Sequence, residues 1–132
     1  MSFDYYKKIS GKCGEDAACS YLKKNKYKII ERNHRNKCGE IDIIATKGDD
    51  LVFVEVKTRK ADSLTRPAEA VGREKQKKLQ LTAMKYLENE PLNVFSRFDV
   101  FEIWQTDGRI YKFNCIEAAF EATDFSGRYD IF

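Results

Sequence analysis

Apolar residues recur at two distinct periods along the chain, five short runs at a period near two and two longer ones at three to four. Residues 10–26 predict a helix: Ala18, Cys19 and Leu22 follow Glu15 by three, four and seven positions, which puts Glu15 on the inward stripe. Residues 27–33 (YKIIERN) predict a strand, followed by a polar turn at His34-Arg35-Asn36-Lys37. Residues 40–46 and 51–59 predict a hairpin around Lys47-Gly48-Asp49-Asp50, with glycine beside aspartate between β-branched runs. Residues 67–90 predict a second long helix with Val71, Leu79, Ala83, Tyr86 and Leu87 along one side, stopped by Pro91. Residues 95–104 and 109–115 predict a further hairpin about Thr106-Asp107-Gly108, and a short helix is expected from Ile116. The order α-β-β-β-α-β-β describes one α/β domain over residues 1–132, a mixed β-sheet flanked by helices.

Four charges interrupt strands that otherwise read as buried: Glu40, Asp42, Glu55 and Lys57. A loop centred on Gly48-Asp49 makes facing residue numbers sum to 97, so Asp42 is expected opposite Glu55 and Glu40 opposite Lys57. Alternation then sends all four to one face, and Ile41, Ile43, Val54 and Val56 to the other. Facing Cβ atoms lie about 4.5 to 5.5 Å apart, where two like charges destabilise a sheet. A divalent cation is the economical way to offset that repulsion, because Mg²⁺ takes oxygen ligands and is commonly held by one or two carboxylates plus water and phosphate. Lys57, two residues beyond Glu55 on the same face, is placed to orient a water or offset charge on a phosphorus-centred transition state. Glu15 is expected to reach the same cluster from the first helix.

Composition narrows the classes. No run of about 18 or more apolar residues spans a bilayer, and MSFDYYKKISGKCGEDAACSYL lacks an uninterrupted apolar core, so a soluble cytoplasmic protein is expected. Cys13, Cys19, Cys38 and Cys115 are irregularly spaced, which favours reduced thiols, and no CxxC pair supports zinc at His34 and Cys38. The net charge is only +3, but from Lys57 to Lys78 eight basic residues face three acidic ones, leaving the rest of the chain at −2. A polyanion-binding edge needs such a stretch, and a solvated helix face gives the same count.

The chain also carries a resemblance. GEIDIIA followed by LVFVEVKTR is similar to the core of the PD-(D/E)XK nuclease superfamily, with Asp42 as the lone aspartate and Glu55-Val56-Lys57 as the E-x-K. GxxGE at Gly11 to Glu15, Ala18, Tyr21-Leu22, Asn33-His34-Arg35, Lys75-Gln76-Lys77-Lys78-Leu79, Arg97-Phe98-Asp99-Val100 and Ala119-Phe120 together resemble the YraN-like uncharacterised family. The resemblance covers nearly the whole chain and implies a restriction-endonuclease-like fold related to archaeal Holliday-junction resolvases. It implies catalytic roles for Glu15, Asp42, Glu55 and Lys57. No proline precedes the aspartate here; Ile41 does.

The function expected is a Mg²⁺- or Mn²⁺-dependent nuclease hydrolysing DNA phosphodiesters, on branched or recombination intermediates. Its metal would sit on Asp42, Glu55 and the Val56 carbonyl, with Glu15 assisting. Arg59, Lys60, Arg66, Lys75, Gln76 and Lys78 would grip phosphates, Gln76 alternatively standing as a solvated helix residue. Glu40 would pair with Lys57 or Arg59. Resolvase-like folds often act as homodimers, although no dimer seam is visible in the sequence. The alternatives are a nucleic-acid-binding module without turnover, acting as a recombination or repair accessory, and an interaction domain whose charges form a solvated face.

Overall fold

The computed structural model describes residues 13–60, 71–88, 95–106 and 109–120. The predicted helix starts at Ser10 and Pro67, the stop at Pro91 and the residue Arg66 lie outside the described residues. Helix α1 spans Cys13–Lys24, with acids in its first turn and lysines in its last, the order its dipole favours. Strands β1 (Lys28–Asn36), β2 (Gly39–Lys47) and β3 (Asp50–Lys60) follow, then α2 (Arg73–Leu87), β4 (Phe95–Thr106) and β5 (Arg109–Phe120). Among the described residues the strands form one sheet in the order β1-β2-β3-β4-β5. Its β3 and β4 run parallel, joined by the crossover that contains α2, and the other neighbours are antiparallel.

Each face of the sheet buries a different apolar set. Ile43, Ala45, Val52, Val54, Phe101, Ile103 and Ile110 pack with Ala17, Ala18, Cys19 and Leu22 of α1. Ile44, Leu51, Phe53, Phe98 and Val100 pack with Val71 and with Leu79 and Ala83 of α2. This is the predicted α/β architecture, a mixed sheet with a helix on each face, and it is restriction-endonuclease-like.

Three boundaries differ from the periodicity. The expected turn at His34-Arg35-Asn36 is strand: β1 pairs with β2 as far as Asn36↔Gly39, which leaves Lys37-Cys38 as the loop. Side chains rather than turn propensity set that end. His34 lies between Glu31 Oε2 at 2.8 Å and Asn36 Nδ2 at 3.0 Å, edge-on to Tyr86. Asn36 Nδ2 also donates to the Thr82 carbonyl at 3.1 Å, fastening the hairpin end to α2. Second, α2 does not include Val71 and Gly72: Gly72 is extended, and Gln76 Nε2 donates to the Val71 carbonyl at 2.9 Å. Third, residues 116–120 are strand and not helix, with Val100↔Ile116 and Phe98↔Phe120 separated by an irregularity at which Ala118 takes φ 49°.

Asp99 explains that irregularity. Its carboxylate accepts from Arg97 Nε and Nη2 at 2.9 and 3.1 Å and from the Ala118 N–H at 2.9 Å. Arg97 in turn donates to the Tyr27 hydroxyl, so the Arg97-Phe98-Asp99-Val100 run is a structural clasp. Asp99→Ala is expected to cost about 3 kcal/mol, because the half-buried guanidinium loses its nearest carboxylate and the Ala118 N–H loses its acceptor. Urea unfolding measures this, and a loss below about 0.5 kcal/mol, the level of an ordinary surface change, would refute the assignment.

Candidate active site

The register of β2 and β3 decides where the acids go. Their ladder runs from Lys47↔Asp50 to Ile43↔Val54, the register that a facing sum of 97 requires, and ends there. At the next step Asp42 Oδ2 accepts the Val56 N–H at 2.8 Å, a side chain standing in for the missing main-chain acceptor. One residue's N–H and C=O leave a strand on the same side, so the Val56 carbonyl is directed into the gap that β2 vacates. Alternation along β2 inverts across Asp42: Ile43 packs toward α1, whereas Ile41 joins Leu79 and Ala83 under α2. Ile41 therefore does not share a face with Ile43, Val54 and Val56 as alternation alone predicts.

Glu55 lies on the α2 side of β3, next in alternation after Leu51 and Phe53, and is 6% exposed. Burial, and after it the hydrogen bond and charge of Asp42, push its carboxyl up to about 7, while Lys75 opposes the shift. Lys75, in the first turns of α2, places its ammonium 3.2 Å from Glu55 Oε2. Asp42 and Glu55 thus form an acid pair just past the last ladder step, and an ammonium already sits against it.

Lys57 is two residues farther along the same face, half-buried, and makes no hydrogen bond or ion pair with any described residue. Its ladder partner on β4 is Glu102. Glu102 is fully buried; Oε2 accepts from Arg59 Nε at 2.9 Å, and Oε1 has no hydrogen-bond partner among the described residues. Arg59 is consequently the counter-ion of a buried acid. Sequence reasoning missed Glu102, although its position supplies a signal: a carboxylate between Phe101 and Ile103 in a central strand must find a cation.

Other expectations resolve differently. Glu40 is not opposite Lys57, because the β2–β3 ladder has ended; it pairs with its β1 neighbour Arg35 at 3.0 Å. Glu15 belongs to α1, on the opposite face, where Arg32 Nη2 lies 3.5 Å from Oε1, an atom buried without a hydrogen bond among the described residues. It does not join the acid pair, since the described residues gather no group of three His, Cys, Asp or Glu side chains fit for a metal. What the described residues offer a cation at this point is then two carboxylates and a main-chain carbonyl. Hard oxygen donors of that number, completed by water and phosphate, fit Mg²⁺. Gln76 spends its amide on Val71, and Lys78 is exposed. Arg66 and the side chain of Lys60 lie outside the described residues.

Residues 14–103 match the model of the uncharacterised protein family UPF0102. The chain belongs to the UPF0102 family. It is 44% identical over 115 residues to a UPF0102 protein of Geotalea uraniireducens, covering 86% of this chain and 91% of that one. A UPF0102 protein of Alkaliphilus metalliredigens is 47% identical over 97 residues, 73% of this chain and 85% of the relative. One from Caldicellulosiruptor saccharolyticus is 40% identical over 116 residues, 86% and 98% of the two chains. The matched span holds the whole acid pair, the E-x-K strand and α2 of this UPF0102 protein.

The acid pair gives the UPF0102 chain a defined pH dependence. Folded Glu55 keeps its proton to about pH 7, whereas the unfolded carboxyl loses it near 4.5. A raised folded value contributes stability that is fully present below the unfolded one and is lost as pH rises through the folded one. Wild type is therefore expected to lose stability relative to Glu55→Gln from about pH 4.5 to 7, by a few kcal/mol at most. Urea unfolding of both proteins across that window checks it, and a difference independent of pH would contradict the burial of Glu55 beside Asp42.

Proposed function

We propose that this UPF0102 protein is a divalent-metal-dependent nuclease of the PD-(D/E)XK type, hydrolysing DNA phosphodiesters, with branched DNA as the class its resolvase resemblance favours. The observation that carries the reading is the pairing of half-buried Asp42 with buried Glu55 at the point where β2 parts from β3, with Lys57 on the same face. A surface ion-pair lattice has no need to bury an acid beside another acid.

In this reading Asp42, Glu55 and the Val56 carbonyl hold the cation. When bound, a divalent ion supplies Lewis acidity and a hydroxide source at neutral pH. Asp42 keeps one carboxylate oxygen on the Val56 N–H, which fixes its orientation. Lys57 lies two residues past Glu55 with no described partner, so its ammonium is available to orient water or to meet charge on the phosphoryl oxygens. Arg59 and Glu102 brace the strand beneath it. One observation favours the second reading, a nucleic-acid-binding module without turnover: Lys75 already neutralises Glu55.

Mn²⁺ calorimetry on wild type and Asp42→Asn, followed by incubation with linear, flapped and four-way DNA, separates the two readings. Asn retains an acceptor for the Val56 N–H, so loss of binding reports the charge and not the fold. The nuclease reading expects Mn²⁺ binding that fails in Asp42→Asn, and cleavage that falls at least about 100-fold in Lys57→Ala. Binding of DNA with no turnover of any substrate would support the module instead.

A further inference from the structure

Between the β1–β2 hairpin end and the first turns of α2 lies a cleft of about 360 Å³, lined in part by Arg35, Gly39, Lys75, Lys78 and Leu79. Its walls are fixed by the fold. Asn36, on the hairpin side, is tied to the Thr82 carbonyl and accepts the Cys38 N–H at 2.9 Å through its own carbonyl oxygen. Gly39 has φ +151°, and a Cβ there would stand 2.8 Å from Thr82 Oγ1, so only glycine lets the hairpin approach α2 this closely. Leu79 adds an apolar surface beneath.

The rim is cationic. Lys78 is exposed, and its ammonium meets no carboxylate among the described residues. The Arg35 side chain is 79% exposed and, among the described residues, held by Glu40, itself half-exposed, the kind of pair that contributes little and yields readily to a stronger anion. Lys75 lines the cleft and also touches Glu55, so cleft and acid pair share a side chain. The volume lies at the low end of small-molecule sites, about 300 to 1,000 Å³, which suits one nucleotide unit and not a duplex. Three cations against one carboxylate, Glu40, with an apolar patch and no aromatic ring along the wall among the described residues, match a phosphate and its sugar rather than a stacked base.

We propose that this cleft is a backbone subsite that seats one phosphate and sugar of a nucleic-acid strand next to the acid pair, with Lys75 passing from Glu55 to that phosphate when a divalent cation takes its place. The inference rests on the nuclease reading for the identity of the neighbouring site, and its own test needs no turnover.

The probe is a 5′-phosphorylated deoxytetranucleotide, with Ca²⁺ as the metal, followed by amide chemical shifts and by affinity across a range of salt. Expected are shifts at Asn36, Gly39 and Leu79, and several-fold weaker binding in each of Arg35→Glu and Lys78→Glu. Each lost phosphate contact should lower the slope of log affinity against log salt by about 0.7. Lys75→Met should bind Ca²⁺ more tightly than wild type when no nucleotide is present, since the competing ammonium is gone. Shifts confined to other surfaces, or an affinity that neither charge reversal changes, would overturn the proposal. An unchanged Ca²⁺ affinity in Lys75→Met would overturn the exchange of partners. Tetranucleotide seated in the cleft of a protein that cleaves nothing defeats the nuclease reading alone, whereas undiminished cleavage by the double variant Arg35→Glu/Lys78→Glu defeats the cleft alone.

Discussion

An amide N–H inside a sheet must have an acceptor, and at Val56 the acceptor is the Asp42 carboxylate and not a neighbouring strand. That substitution allows β2 to leave β3 after Ile43↔Val54 without orphaning the edge of β3. Everything particular to the site follows from the opening. Asp42 is drawn toward Glu55, the Val56 carbonyl faces the same gap, and Ile41 turns under α2 to close the core behind it. Asp42 is for this reason a structural residue whatever its chemistry, and its shape and its charge have to be varied separately.

The α2 face of β3 and β4 passes from core to site along its length. Phe53 pairs with Phe98 across the parallel ladder, and with Leu51 and Val100 they meet Leu79 and Ala83, which anchors α2. One further step along β3 replaces the apolar residues by Glu55, Lys57 and Arg59, and along β4 by Glu102. The apolar half sets the height at which α2 crosses the sheet, and so delivers Lys75 to Glu55. The α1 face has no such change of character as far as Val56 and Ile103, and Gly14 lets the helix sit so close that a Cβ would stand 3.0 Å from Thr58 Oγ1.

Period and turn chemistry made the element order, the mixed sheet and the Asp42–Glu55 juxtaposition legible, because hairpin register is a local property of Gly48-Asp49 and its flanks. What stayed illegible depended on partners distant in sequence. The strand character of His34-Arg35-Asn36 comes from Thr82 and Tyr86, and that of residues 116–120 from Asp99. Both override weak local preference through hydrogen bonds that no window of sequence contains. The separation of Glu15 from the acids was invisible for the same reason: helical spacing shows that a residue faces inward, and not which face of the sheet it meets.

Charge counting also needed the fold to become chemistry. The basic stretch reads as one surface, yet Arg59 is committed to buried Glu102 and Lys75 to Glu55, so Lys78 and Arg35, which lies outside the stretch, are the cations left to meet an anion at the cleft. Around the acid pair Asp42 and Glu102 face Lys57, Arg59 and Lys75, while burial and Asp42 hold the proton of Glu55 up to about pH 7. In the proposed reading a divalent cation on the pair would favour ionised Glu55 and compete with Lys75 for it, so that Lys75 would be freed for a phosphate by the metal that hydrolysis needs. Metal and nucleic-acid binding would then be linked, each strengthening the other.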